Sequence, residues 1–369
     1  MKKDIIFLLL ILFFLILLIL ILLYKSKEIS SSPMENLSEC NVLQFSSYSA
    51  INIVFLADKK TAEKYADFLF KISPFDKNKD KFNLYYIDTD FECSFYKDTS
   101  LFCYSKDILK KASSCPADYI FALKKEKREI RSTSYLNLMS LNLNHPMVVL
   151  HHEFGHSFAN LAEEYVPAEV PKNSRNCVDS CDRFDINNGC FKGCSEQHLY
   201  RSIENGIMRT LSSNSYGIFN ERIFSQLLNK SESSLKNKIT GEITLEDGNC
   251  KEQKYILAPC SYNPETGEIK ILEQHVEKGC AGSNGNGPLS YALMAEDNRL
   301  IEGYFNQPIL YTDLPNEDGL LSGETYPSRE FILRLPFIKN ATKLAIYNEN
   351  KTEIATIKLN IGSTPCRIK

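Results

Sequence analysis

The segment HHEFGHSFANLAEEY, residues 151–165, is the most informative part of the sequence about the fold. It contains the pattern HExxH as His152, Glu153 and His156. On a helix the two histidines lie four positions apart and project from one face, where two neutral imidazoles can bind one zinc ion. Glu153 lies beside them and can take a proton from a zinc-bound water, whose pKa the metal lowers towards about 7. The segment predicts a zinc site with a general base.

The residues before the motif predict that it lies on a buried helix. Asn144 and Pro146 are a helix start signal, and an apolar run at 147–150 follows them. HExxH is a short pattern that also occurs by chance, so the residues after it decide more.

A catalytic zinc site needs three protein ligands and one open position. A helix that continued past the second histidine would carry the third ligand away along its axis, so the chain has to turn. The turn is expected at Ala159 and Asn160, because Asn is the non-glycine residue that best tolerates a positive φ. Glu163 is the expected third ligand, and the alternatives are Glu164 and His198.

The motif resembles that of the IgA-peptidase-type metallopeptidases, metzincin-like zinc enzymes in which it reads close to HEFGHSFGGLADEY. The matching positions are His152, Glu153, Phe154, Gly155, His156, Ser157, Phe158, Leu161, Ala162, Glu164 and Tyr165. The family's Gly pair is Ala159 and Asn160 here, and its Asp is Glu163. The resemblance implies an α/β (α+β) metzincin-like fold, peptidase activity and Zn2+ as cofactor.

The resemblance covers about residues 48–230. Segments 51–58 and 74–88 are similar to the family's N-terminal strands and their connection. Segment 205–209 is similar to a Met-turn, in which a Met side chain, here Met208, lies beneath the metal site. The alternative is that Met208 is an ordinary core residue, because a lone Met often fills gaps.

Two residues near the site have a structural and a functional interpretation. His151 points about 100° away from its neighbour on a helix, so a packed or exposed side chain is favoured over a ligand. Tyr216 follows the Met-turn and can hydrogen-bond a tetrahedral intermediate, as a Tyr does in some metzincins. A structural Tyr is favoured there.

The N-terminus predicts a membrane anchor. Residues 5–23 are 19 consecutive apolar residues, a length that can span a bilayer and exceeds the core of a signal peptide, about 7–15 residues. No small-x-small cleavage site follows. An uncleaved transmembrane signal anchor at 1–27 is therefore favoured over a cleaved signal, followed by a Ser-containing stalk at 28–39.

The cysteines indicate on which side of the membrane the chain lies. All twelve lie beyond residue 23, and this density in a chain with an export signal indicates disulfides in an oxidising compartment. The expected location is the cell membrane, single-pass, with the catalytic part extracytoplasmic. The net charge of -3 indicates no nucleic acid partner. The expected partners are the membrane, through the N-terminal helix, and a protein or peptide substrate.

Residues 40–230 are expected to form the metallopeptidase domain. Apolar runs predict strands at 51–58 and 119–123, and helical spacing predicts a helix at 61–72. The alternating run 135–143 precedes the catalytic helix. In metzincin-like folds the strand at this position is the sheet edge that pairs with an extended substrate peptide, so the resemblance implies an edge strand here. The alternative is an interior strand.

A cysteine-rich insert at 177–194 lies inside this domain. Disulfides are favoured there over a four-thiolate zinc site, because structural zinc usually takes tighter Cx2C pairs. Disulfides are also expected for Cys93, Cys103 and Cys115.

Residues 231–369 predict short strands with Gly, Asn and Pro turns, which indicates an all-β module resembling a β-sandwich. Its four cysteines, Cys250, Cys260, Cys280 and Cys366, are expected to form two bridges. The expected role is to support the protease domain or to bind substrate or cell-surface material.

Taken together, the sequence predicts a membrane-anchored extracytoplasmic zinc metalloendopeptidase. His152, His156 and Glu163 would hold the metal, and Glu153 would act as general base. Two alternatives remain. One is a non-catalytic surface binding or adhesion protein on a peptidase fold, and the other is an amidase that acts on cell-wall peptide.

Overall fold

The computed structural model describes residues 37–184, 189–236, 249–282 and 284–359. The membrane anchor expected at 1–27 lies outside the described residues, as does most of the expected stalk. In the part that the structure describes, no helix is long and apolar enough to cross a membrane.

The described chain up to residue 236 alternates strands with four α-helices. Its elements are β1 (Asn41–Gln44), β2 (Ile51–Leu56), α1 (Lys59–Leu69), β3 (Phe82–Ile87), β4 (Ser94–Tyr96), β5 (Ser100–Phe102), α2 (Lys106–Ala112), β6 (Tyr119–Lys124), β7 (Ser132–Tyr135), β8 (Leu138–Asn142), α3 (Val149–Ala159), β9 (Phe191–Cys194), β10 (Glu196–Arg201) and α4 (Ile218–Lys236). The strand predictions at 51–58 and 119–123 and the helix prediction at 61–72 are confirmed by β2, β6 and α1.

The described residues after 248 form strands. These are β11 (Lys254–Tyr262), β12 (Ile269–Ile271), β13 (His275–Lys278), β14 (Leu289–Ala295), β15 (Asn298–Phe305), β16 (Ile309–Pro315), β17 (Leu321–Pro327), β18 (Glu330–Pro336), β19 (Lys343–Tyr347) and β20 (Glu353–Lys358). The prediction of an all-β C-terminal part is confirmed for these residues.

An eight-stranded sheet runs through the molecule in the order β1-β3-β2-β6-β8-β7-β16-β17. Its centre, β3-β2-β6-β8, is parallel, and its outer strands are antiparallel. Side chains alternate across a strand. On β2, Ile53 and Phe55 pack in a cluster with α1, α3 and α4, whereas Val54 and Leu56 pack with the C-terminal strands. The fold is therefore mixed α/β, with three helices on one face.

The C-terminal strands do not form a separate module. The described residues from Leu37 onward belong to one compact unit, and the core that contains Val54 also contains Ile256 and Leu344. Strands β11, β12, β13 and β18 form one four-stranded sheet, and β14, β15, β19 and β20 form another. Strands β16 and β17 join the main sheet. Elements from both sides of the expected boundary at residue 230 therefore share one sheet and one core.

The run 135–143 is interior to the sheet. Strands β7 and β8 pair with each other, and β16 pairs with the other edge of β7. The prediction that this run is a sheet edge is wrong, and the interior alternative is confirmed. The reason is non-local, because the position beside β7 is filled by a hairpin from far along the chain.

Five disulfides join described cysteines: Cys40–Cys115, Cys93–Cys103, Cys177–Cys194, Cys181–Cys190 and Cys250–Cys280. The two in the insert confirm disulfides there. In the C-terminal part Cys260 is instead a buried free thiol in the core, so one expected bridge does not form through it. Cys366 lies outside the described residues.

Candidate metal centre

Helix α3 carries the HExxH motif, and every residue in it is buried. It packs on β7 and β8 and is contacted by α1 and α4. The helix begins at Val149, later than the start signal at 144–146 indicates. The N–H of Val149 donates to Pro146 O at 3.0 Å, so the chain makes a tight turn before the regular helix.

The chain turns sharply where α3 ends. Asn160 has φ 50° and ψ 41°, in the left-handed region, and its N–H donates to the carbonyl of His156 at 3.1 Å. Its side-chain amide donates to Lys172 O at 2.9 Å. The predicted turn at this position is confirmed, and it brings Glu163 back towards the two histidines.

The two histidines are oriented by backbone carbonyls. Nδ1 of His152 lies 3.0 Å from Ile207 O, and Nδ1 of His156 lies 2.7 Å from Leu161 O. A carbonyl can only accept, so each Nδ1 carries the hydrogen. The two Nε2 atoms are 3.2 Å apart. In the neutral rings both direct a lone pair into one space, the arrangement of metal-binding histidines.

Four residues converge on this space. His152 Nε2 is 3.5 Å from Glu163 Oε2 and 3.3 Å from Asp313 Oδ2, and His156 Nε2 is 3.0 Å from Glu163 Oε1. One ligand atom from each of the four lies within 4.8 Å of all the others. Bonds of about 2.0–2.1 Å in a tetrahedral site place ligands about 3.3 Å apart, which is close to the distances between the two Nε2 atoms, from Glu163 to both histidines and from Asp313 to His152. The cluster can hold a metal ion.

The charges of the site also fit a cation. Glu153, Glu163 and Asp313 are all fully buried, and neither carboxylate oxygen of Glu153 has a hydrogen-bond donor among the described residues. Burial, with the charges of Asp313 and Glu163, raises the pKa of Glu153 well above its usual range. Burial lowers the pKa of His152, but Asp313 and Glu163 outweigh it and raise that pKa to about 9. A divalent cation would offset this buried negative charge.

Asp313 is the member of the cluster that the sequence did not indicate. It lies on β16, and its Oδ1 accepts a hydrogen bond from the hydroxyl of Tyr165 at 2.8 Å, across 148 residues of sequence. No local pattern marks it, because its neighbours read as an ordinary strand. Only the pairing of β16 with β7 places it beside His152 in the candidate metal site.

Segment 205–209 lies against α3, the HExxH helix. Ile207 supplies the carbonyl that orients His152, and Met208 O accepts from the N–H of Glu164 at 2.9 Å. Met208 is fully buried, and a Cβ added to Gly155 would lie 2.6 Å from its Sδ. Met208 is thus a core residue in direct contact with the HExxH helix.

The two alternative third ligands lie elsewhere. Glu164 Oε1 accepts from the side-chain amides of Asn220 at 2.8 Å and Asn176 at 3.3 Å. His198 is mostly exposed and pairs with Glu196. The structure therefore brings Glu163 to the histidines and leaves both alternatives out of the cluster.

His151 and Tyr216 have structural contacts. His151 is buried, and its Nε2 lies 3.0 Å from Leu69 O. The hydroxyl of Tyr216 donates to His151 O. Tyr216 is itself fully buried and packs on Phe75 and Phe224. These contacts agree with the structural interpretation of both residues.

A cleft of about 500 Å³ lies beside the cysteine-rich insert and is lined by residues that include Arg175, His198 and Phe219. It contains none of the four cluster residues.

In comparisons with known proteins, no family model matches the chain and no curated protein matches it.

Proposed function

We propose that the chain is a metzincin-like zinc metalloendopeptidase. The observation that carries this proposal is Glu153, a buried carboxylate that receives no hydrogen bond from the described residues and lies next to two histidines oriented by backbone carbonyls. A buried carboxylate without a donor is costly to stability, and a catalytic role explains why one lies at this position. Two imidazoles and a carboxylate are a ligand set that zinc accepts.

Zinc, when bound, supplies a Lewis acid that polarises a peptide carbonyl and acidifies a water molecule. His152, His156 and Glu163 would hold it. Glu153 takes the proton of the attacking water and returns it to the leaving amine. The carbonyls of Ile207 and Leu161 keep both imidazoles in the tautomer that binds metal.

The proposal includes the location of the enzyme. Five disulfides support an oxidising compartment. With the apolar run at 5–23, they favour a single-pass membrane protein whose catalytic part is extracytoplasmic. An amidase that acts on cell-wall peptide would use the same residues and differ in its substrate.

A second candidate is a non-catalytic binding or adhesion protein with a structural metal. The observation that favours it is Asp313, because four protein ligands are typical of structural zinc sites and three are typical of catalytic ones.

The test compares the parent chain with a Glu153→Gln variant, both purified at full length in detergent and matched in zinc content. Both are also made in an Asp313→Ala background, which leaves three ligands. The substrates are an unfolded protein, a peptide panel and cell-wall peptides.

Hydrolysis that falls about 10²- to 10⁴-fold in the Glu153→Gln chain would establish the general base. The variant should keep its zinc, because the side chain at position 153 is not among the ligands. Equal rates with and without Glu153, or no hydrolysis in any background, would reject the peptidase.

A further inference from the structure

We propose that the hairpin formed by β16 and β17 is an autoinhibitory plug, in which Asp313 fills the fourth metal position and keeps the site latent until the hairpin withdraws. This inference rests on the proposed function. A catalytic zinc site has three protein ligands and an open fourth position, and we assign Asp313 to that fourth position.

The first support is the position of the Asp313 carboxylate. Oδ2 lies 3.3 Å from His152 Nε2, about one edge of a tetrahedral zinc site. Oδ1 is held by the hydroxyl of Tyr165 at 2.8 Å, which leaves Oδ2 directed into the cluster. Tyr165 follows Glu163 by two residues, so one short loop carries both the third ligand and the group that holds the plug.

The second support is that the hairpin is shaped around this contact. On β17, Gly323 lies opposite Asp313. A Cβ added to Gly323 would lie 2.0 Å from the backbone oxygen of Thr312, 2.5 Å from the Tyr165 hydroxyl oxygen and 2.8 Å from Asp313 Oδ1. A residue with a side chain at this position would therefore clash with the backbone of β16 and with both groups of the contact.

The third support is that β16 occupies the place an extended peptide would take. It pairs antiparallel with β7, the strand beside the metal helix, with Tyr311 opposite Ser134. The ring of Tyr311 stacks on that of His156, with centroids 4.0 Å apart and planes at 8°. A substrate strand would need this same edge for its main-chain hydrogen bonds. With the hairpin in place, all four ligands are inaccessible to solvent.

The fourth support is that the hairpin lies at the rim of the sheet. The turn between its strands exposes Asn316, Glu317 and Asp318, and β17 pairs only with β16 among the described strands. The turn is held by the segment after the Met-turn, where Thr210 donates to Gly319 O at 2.9 Å. Withdrawal would break the pairing of β16 with β7 and would take Leu310 and Leu321 out of the cores on the two faces of the sheet, whereas the pairing of β3, β2, β6 and β8 would stay intact.

The test uses the full chain loaded with Co2+, whose visible absorption reports the ligands around it, and acetohydroxamate as a probe that needs an open metal position. Three variants are compared with the parent. Asp313→Ala removes the plug ligand, and Asp313→Asn removes its charge but keeps its size and the bond from Tyr165. Asp318→Ala is the matched control, because it removes one carboxylate from the exposed turn of the same hairpin.

We expect one Co2+ per chain in all four proteins. Both Asp313 variants should show a saturable spectral change with acetohydroxamate at a Kd at least tenfold below that of the parent and of Asp318→Ala. A parent that responds as the variants do would overturn the proposal, because Asp313 would not hold the position. Loss of Co2+ from both Asp313 variants would also overturn it, because Asp313 would then be an essential structural ligand.

Activity separates this proposal from the proposed function. Glu153-dependent hydrolysis that is at least tenfold faster in the Asp313 variants supports both. Hydrolysis that is equally fast in the parent overturns the plug and leaves the peptidase standing. An Asp313 variant that binds the probe and cuts no substrate refutes the peptidase, while the metal contact of Asp313 stands.

Discussion

Gly155→Ala tests whether the HExxH helix and the segment beneath it are packed as the structure shows. The added Cβ would lie 2.6 Å from Met208 Sδ and 3.5 Å from a ring carbon of Tyr216. Relaxed heavy-atom contacts are about 3.5–4.0 Å, so the sulfur has to move by about 1 Å. Such overpacking costs about 1–3 kcal/mol, against about 1 kcal/mol that Ala gains over Gly inside a helix. We expect a net destabilisation of about 1 kcal/mol.

The sign should reverse when Met208 is shortened. In a Met208→Ala background the added methyl group keeps only the relaxed contact with Tyr216, so Gly155→Ala should stabilise the chain by about 1 kcal/mol. The cycle therefore predicts a coupling of about 2 kcal/mol between the two positions. Urea denaturation at saturating zinc, with disulfides intact, measures all four proteins. The same change in unfolding free energy in both backgrounds would refute the contact.

Two further predictions concern the turn and the metal. Asn160→Ala should cost about 1–2 kcal/mol in urea denaturation, because the left-handed conformation is unfavourable for Ala. Asn160→Gly should stay within about 1 kcal/mol of the parent, since it relaxes the backbone but loses the bond to Lys172, and equal losses would contradict the argument. Zinc at about a thousandfold excess over its Kd should stabilise the chain by about 4 kcal/mol, which is about 6 °C in melting temperature for a unit of roughly 330 residues. A chelator should abolish that shift in thermal melts and should have no effect on a His156→Ala chain, whereas an unchanged parent would show that the cluster binds no metal.

Local chemistry was readable from the sequence because it depends on neighbours along the chain. The four-residue spacing of His152 and His156 places them on one helical face whatever surrounds the helix. The tolerance of Asn160 for positive φ permits the turn, and the structure has it. Apolar runs likewise predicted β2 and β6, since a strand buried on both faces has few alternatives.

The helix start and the cysteine pairing were only partly readable. Pro146 is a start signal, but hydrogen bonding places the regular helix at Val149, and such boundaries depend on packing. The oxidised state of the insert follows from composition and compartment, whereas the choice of partners does not. Cys260 remains a thiol because its strand places it in the core.

The order of residues is enough to predict the HExxH helix, the turn that returns Glu163 and the presence of disulfides, because each depends on residues close together or on composition. Folding in three dimensions adds that β16 and β17 extend the main sheet and that Asp313 joins the cluster that can hold a metal ion. Strand pairing between distant segments depends on which apolar faces cover each other. No pattern within either segment records that choice.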